Sequence, residues 1–233
     1  MKKFFLGFAL TACPGIAPAL DLGEPEIFGA VALDRLEMRN SKTGNSSHWD
    51  GQAWIGGDLD KAWLKSLGNA KRGRVQSADV QLLYSRAVAP YWDAQAGVRH
   101  DFGVANRPAR DWLAFAFKGL APYKFDVDAS AYLGNGGAAR IKAGYTLLLT
   151  QRLALLPEAE ANLYGKPDPA REIGSGLSTL EAGLRLRYEI SREFAPYVGV
   201  TWTKKHGGTA GLARQNGEPV SEVFYAAGVR LWW

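Results

Sequence analysis

Leu180-Glu181-Ala182-Gly183-Leu184-Arg185-Leu186-Arg187-Tyr188-Glu189 alternates apolar and polar residues without a break. That is the period of a β-strand, whose successive side chains point to opposite faces. Glu181, Arg185, Arg187 and Glu189 share one face, and a dry protein core does not hold such a row unpaired. The charges must meet water or one another. Phe125, Val127, Ala129, Ala131 and Leu133 likewise alternate with Asp126, Asp128, Ser130 and Tyr132. From Trp92 to Phe102, the apolar Trp92, Ala94, Ala96, Val98 and Phe102 stand against Asp93, Gln95, Gly97, Arg99 and Asp101. Each segment runs about 9 to 13 residues, the length a tilted strand needs to cross a bilayer.

Alternation also occurs in soluble antiparallel sandwiches, so the choice rests on three further features. Aromatic residues gather at strand ends: Tyr91, Trp92, Tyr123, Phe125, Phe194 and Tyr197 at one end, Trp49, Phe102, Trp112 and Trp202 toward the other. Such girdles mark the membrane interfaces of a barrel. Connections alternate between tight (Ala87–Pro90, Ala121-Pro122, Ser191–Glu193) and long and polar (Gly103–Ala109, Gly165–Gly176, Gly207–Pro219). Outer-membrane barrels have short periplasmic turns and long outer loops. Finally, Tyr225, Ala227, Val229, Leu231 and the terminal Trp233 share one face. The fold class is therefore all-β: a transmembrane antiparallel up-and-down barrel.

Counting back from Trp233 gives strands at about 220–233, 194–206, 177–190, 152–164, 138–150, 123–133, 109–120, 90–102 and 73–87. An even total needs three more before residue 67. Phe28–Arg39 supplies one, and Trp49–Ser66 supplies two if Gly56-Gly57-Asp58 turns the chain. Twelve strands result, with both termini periplasmic. The alternative is ten, with residues 28–40 outside the wall.

The 233 residues are 47% hydrophobic and 22% charged, with one Cys and no apolar run long enough for a membrane helix. Internal disulfides and zinc modules are excluded. Met1-Lys2-Lys3, the apolar Phe4–Ala12 and Ala17-Pro18-Ala19 have the order of a secretory signal peptide over residues 1–19. Leu10-Thr11-Ala12-Cys13 competes as a lipoprotein box that would leave Cys13 lipidated. Residues 20–27 then form a short periplasmic segment, and residues 28–233 the barrel. Loss of Lys2 and Lys3 lowers the formal charge from +5 to +3. That is no footprint for nucleic acid. Outer-membrane lipid is the expected partner, and the barrel reads as a monomer.

Longer phrases carry a family likeness. Phe28-Gly29-Ala30-Val31, Asp34-Arg35-Leu36-Glu37, Ala53-Trp54-Ile55-Gly56-Gly57-Asp58-Leu59-Asp60-Lys61 and Gln81-Leu82-Leu83-Tyr84-Ser85-Arg86 resemble the copper resistance protein B family. Leu148-Leu149-Thr150-Gln151-Arg152 and Arg192-Glu193-Phe194-Ala195-Pro196-Tyr197 continue the resemblance, which covers essentially all of residues 28–233. It implies an outer-membrane protein of copper resistance that binds copper or controls its passage, and a partnership with periplasmic copper-handling proteins. Family members commonly carry a Met- and His-rich segment ahead of the barrel, whereas Leu20–Ile27 contains neither residue. A general small-solute channel or a structural barrel without direct copper ligands is the competing class.

Catalytic signatures are absent: there is no GxSxG, HExxH or Walker loop, and His100 and Asp101 fall on opposite faces of a strand. No enzyme activity is expected. Imidazole and thioether groups suit copper. Met38, His48, His100 and His206 are therefore the candidate metal ligands, all near the outer mouth. Strand order puts Met38, His48 and His206 in one sector and His100 across from them. Period two sets Glu37 and Met38 on opposite faces unless a bulge intervenes. Exposed loops collect histidines in any case, and a copper ion here is not required for folding. A second candidate is an inward row of Asp58, Asp60, Asp93, Asp101, Asp126, Asp128, Glu158, Glu160 and Glu181 facing Arg99, Arg140, Lys142, Arg185 and Arg187. Such a row either coordinates a cation or fills a narrow barrel with mutual ion pairs.

Overall fold

The computed structural model describes residues 26–104, 107–134 and 136–233. The expected signal peptide and Cys13 lie outside the described residues, as does most of the 20–27 segment. Twelve strands form the wall. They are β1 (Phe28–Ser41), β2 (Gly44–Gly56), β3 (Asp60–Lys71), β4 (Arg74–Ala89), β5 (Trp92–Asp101) and β6 (Arg110–Ala121). After these come β7 (Phe125–Leu133), β8 (Ala138–Gly144, resuming as Leu147–Leu148) and β9 (Leu153–Tyr164). The last three are β10 (Gly176–Tyr188), β11 (Phe194–Lys205) and β12 (Ser221–Trp232). Each strand pairs antiparallel with its sequence neighbours, and β12 pairs with β1 from Trp232 opposite Ala32 to Tyr225 opposite Asn40. The sheet thus closes on itself and leaves no edge, the condition for a sheet to span lipid.

Phe28–Ser41 is a wall strand, which settles twelve strands against ten, and Gly57–Leu59 connects β2 to β3 as expected. Both β1 and β2 are longer than the sequence suggests. Their connection is only Lys42-Thr43, and Arg72-Gly73 joins β3 to β4 just as tightly. Arg72 and Gly73 have φ of 52° and 74°, the paired left-handed geometry that matches strand twist in a two-residue hairpin.

Asp34 is a bulge. The β1–β2 register steps from Leu33 opposite Gly51 to Arg35 opposite Asp50. Upstream of it the odd-numbered Val31 is exposed; downstream the even-numbered Leu36 and Met38 are exposed, while Arg35 and Glu37 are buried. One extra residue therefore exchanges the faces of the rest of the strand. Without it, Leu36 and Met38 would point into the barrel and Glu37 into lipid.

The outer surface carries Leu64, Leu82, Val98, Leu113, Ile141 and Val198, all well exposed, as a lipid-facing wall requires. Tyr91 and Tyr123 project at the short-turn end, and Trp92 stacks on Phe117 there at 4.6 Å. Trp112, expected in the opposite girdle, points inward instead. It packs with Leu83, Ala114 and Tyr132, and its indole N–H donates to Asp101 at 3.1 Å. Its strand partner Arg99 faces inward too, so pairing carries the indole to that side.

Gly207–Gln215, expected as loop, is a nine-residue helix, α1. Its three glycines give little helical propensity. Buried Thr209, Ala210 and Ala213 hold it against the protein. Tertiary packing supplies what local preference lacks.

Barrel closure ends in two backbone hydrogen bonds: Val31 N–H to the Trp233 carbonyl at 2.9 Å, and Trp233 N–H to the Val31 carbonyl at 2.8 Å. Deleting Trp233 removes both and an interfacial aromatic. The expected outcome is a sharp fall in folded, heat-modifiable barrel in outer membranes, read by gel migration with and without boiling.

Candidate functional site in the lumen

Arg35, Glu37 and Arg39 project from β1 into the lumen as a consequence of the Asp34 bulge. The Glu37 side chain has no exposed surface. Arg39 Nε donates to Oε1 at 2.6 Å, Arg185 Nε donates to Oε2 and Nη2 to Oε1, both at 3.2 Å, and the Tyr197 hydroxyl donates to Oε2 at 2.9 Å. Charge-assisted bonds of this kind are the strong class, and the bidentate Arg185 fixes orientation as well. Room for the cluster comes from glycine. A Cβ on Gly228 would sit 2.7 Å from Glu37 Cβ and 2.8 Å from the Tyr197 hydroxyl, and one on Gly199 would sit 2.8 Å from Arg185 Cγ.

The network extends across the barrel. Glu158 on β9 binds Arg35, accepts Lys142 Nζ at 3.3 Å and lies 3.7 Å from Arg185 Nη1. Lys142 on β8 reaches Asp50 on β2 at 3.9 Å, and Lys65 on β3 reaches Asp128 on β7 at 3.8 Å. In a closed ring of twelve, β2 and β8 are opposite walls, so these pairs cross the lumen. Together they form a constriction.

A second cluster sits toward the long loops. Arg99 joins Asp79 at 3.2 Å and Asp101 at 2.6 Å; Arg110 joins Asp101 at 2.9 Å and Asp168 at 3.0 Å. Asp168 belongs to the connection between β9 and β10, which this pair draws inward. Thr209 Oγ1 of α1 accepts the Gly174 N–H at 2.8 Å and lies 2.9 Å from Ser178 Oγ, while Asn216 donates to Glu172 at 2.8 Å. The connection and the helix are thus tied together at the outer mouth.

The structure does not bring Met38, His48 and His206 together. Met38 is 61% exposed on the lipid face. His48 lies opposite Glu37 in the β1–β2 register and shares its inward face. His206 precedes α1, its Nδ1 3.2 Å from the Lys204 carbonyl. Bulge parity separates the first two, and the helix holds the third beyond the strand end. His100 stands apart as expected, but has a partner the sequence did not suggest: its Nδ1 lies 2.5 Å from Asp111 Oδ1 on the neighbouring strand. Among the described residues, no three His, Cys, Asp or Glu side chains converge as a metal site.

Of the expected inward row, Asp93, Asp126, Asp128 and Glu158 line the lumen cavity with Arg140, Lys142, Arg185 and Arg187. Asp101 is buried, and Glu181 lies 3.7 Å from Arg39. Asp58 and Asp60 do not belong. Asp58 sits in the β2–β3 turn, and Asp60 accepts a hydrogen bond from exposed Tyr84 on the outer face. Tyr197, expected in the interfacial girdle, is buried against Glu37 instead; its role and those of Gly228 and Thr209 each depend on a partner more than 30 residues away.

Fold and lumen define a class: a closed twelve-stranded outer-membrane β-barrel with a charge-filled interior. Its backbone is similar to that of the NanC porin, with a TM-score of 0.57 at 11% identity, covering 84% of this chain and 98% of the porin. Residues 27–233 match the family described as copper resistance protein B precursor (CopB), and the chain belongs to that family. It is 46% identical over 205 residues to copper resistance protein B of Escherichia coli, covering 87% of this chain and 69% of the relative. It is 47% identical over 202 residues to a copper resistance protein B homolog of Pseudomonas syringae pv. tomato, covering 86% and 68%. Membership implies a role in copper resistance.

Replacing Glu37 by Ala strands Arg39 and Arg185, and the expected loss is about 3–5 kcal/mol in urea unfolding of the lipid-reconstituted barrel. Gly228→Ala should cost about 1–3 kcal/mol through overpacking alone. Because no shared site joins the histidines, His48→Ala and His206→Ala should change copper retention additively in equilibrium dialysis.

Proposed function

We propose that this barrel serves copper resistance by controlling passage across the outer membrane, with the Glu37–Arg185 constriction as its barrier. The observation that carries the reading is a fully buried carboxylate held by three side chains in a lumen that two further ion pairs cross. An open channel would leave such groups in water. Here they bind one another, which narrows the lumen and rigidifies it. Copper enters as cargo. Sequestration on the wall has less support: Met38, the one methionine among the described residues, faces lipid. Carboxylates alone select copper poorly over commoner ions. Periplasmic copper-handling proteins would meet the short-turn end, and a wall with every edge paired needs no second copy.

The double variant Glu37→Gln with Arg185→Gln removes both charges and shortens the side chain at position 185. In planar bilayers the wild-type barrel should conduct weakly and the folded double variant several-fold more, while cells carrying the variant should accumulate a different amount of copper under copper stress. Wild-type conductance already equal to that of an open twelve-stranded channel would refute the barrier and favour a general small-solute channel. Saturable copper binding by the purified barrel, above that of an unrelated barrel, would favour sequestration.

A further inference from the structure

A cavity of about 730 Å³ extends from the constriction toward the short turns, bounded there by Tyr91, Leu120, Thr146 and Arg230. Eight Lys and Arg side chains line it against six Asp and Glu. Most of these charges pair internally. Asp34 is held by Arg230 at 3.2 Å, Asp50 and Glu158 by Lys142, and Asp128 by Lys65 and by the Ser130 hydroxyl at 2.7 Å. Asp93 accepts the Ser85 hydroxyl at 3.3 Å, and Asp126 is exposed at the periplasmic opening.

Lys65, Lys118 and Arg140 gather from β3, β6 and β8 around one carboxylate, Asp128: Lys65 pairs with it and also donates to Gln95 Oε1 at 2.8 Å, and Lys118 stands opposite it in the β6–β7 register and opposite Asp93 in the β5–β6 register. The Lys118 ammonium stands 5.0 Å from the Trp63 ring centre and that of Lys65 5.7 Å from it. Trp63 Nε1 and Arg140 Nε are buried without a hydrogen-bond partner among the described residues. Buried donors left unpaired are costly, and an acceptor that reached them would relieve that cost. An indole N–H, a guanidinium and two ammonium groups beside an aromatic face match a ligand rich in anionic oxygen. A bare metal cation would meet repulsion from the three cations.

We propose that Trp63, Lys65, Lys118 and Arg140, facing the lumen from three strands, form a binding site for a small polycarboxylate anion that enters from the periplasmic end. The site borders the barrier and shares Lys65 with it, but citrate binding is read without any opening of the constriction. Its position on β3, β6 and β8 makes it rigid, with each donor fixed by strand register.

The test is isothermal titration of the purified, folded barrel with citrate, and with choline as a cation of comparable size. Citrate should bind saturably and choline should not. Trp63→Phe, which keeps an aromatic face but loses the five-membered ring with its N–H, and Lys118→Gln should each weaken citrate binding at least fivefold, with heat-modifiable migration confirming the fold. The affinity should also fall as salt rises, because the contact is ionic. Absence of saturable citrate binding, equal binding of choline, or citrate binding untouched by both variants would overturn the site. Conductance of the constriction variant is measured separately, so either reading can fail without the other.

Discussion

Glu37 is a carboxylate with no access to solvent, and much of the barrel's interior is arranged around that one charge. Arg39 comes from its own strand, Arg185 and Tyr197 come from β10 and β11, and Gly228 and Gly199 leave the space those side chains fill. Removing water from a carboxylate is tolerable only when its oxygens keep full hydrogen bonding, and here four donor atoms supply it. The requirement reaches outward, because Arg185 and Arg35 both also meet Glu158, which meets Lys142, which meets Asp50 on the opposite wall. A pattern of compensated charge therefore bridges the ring of strands across its middle.

The same constraint explains why the bulge at Asp34 matters beyond local geometry. It sets which parity of β1 faces the lumen, and so sends Glu37 inward and Met38 outward. Asp34 itself still faces inward, where it binds Arg230 and Gln52. A single inserted residue thus supplies a carboxylate to the lumen and delivers the only described thioether to lipid. Membership of the copper resistance protein B family gives the biological setting, and the lumen gives the physical means: a constriction above a cavity whose spare groups are hydrogen-bond donors.

At the outer mouth the logic differs. Arg110 links the wall to Asp168, and Thr209 links α1 to Gly174 and Ser178, so loop and helix depend on each other through a few short polar contacts. Compensation in the lumen runs strand to strand; at the mouth it runs loop to strand. The loops are thereby held with far less buried apolar surface than the wall, and they are the segments where local opening should cost least.

The sequence by itself determined the class and most of the lumen's composition and narrowed the strand number to twelve or ten. Alternation from Phe28 to Trp233 is a local property that each segment states on its own, and lipid on one side with polar groups on the other leaves a closed barrel as the solution. Tertiary structure decided what depends on distant partners. On β1 the alternation slips at Leu33-Asp34-Arg35-Leu36, where two polar residues run together, but only pairing with β2 and β12 shows that Asp34 is the extra residue. Trp112 alternates like a girdle residue, yet Arg99 and Asp101 on the adjacent strand draw it inside. The helix at Gly207–Gln215 exists because Thr209, Ala210 and Ala213 are buried against neighbours, against the preference of its three glycines. Met38, His48 and His206 lie close in strand order, but strand order fixes only which strands are adjacent. Which way each side chain points is fixed by register, and register is a property of pairs of strands.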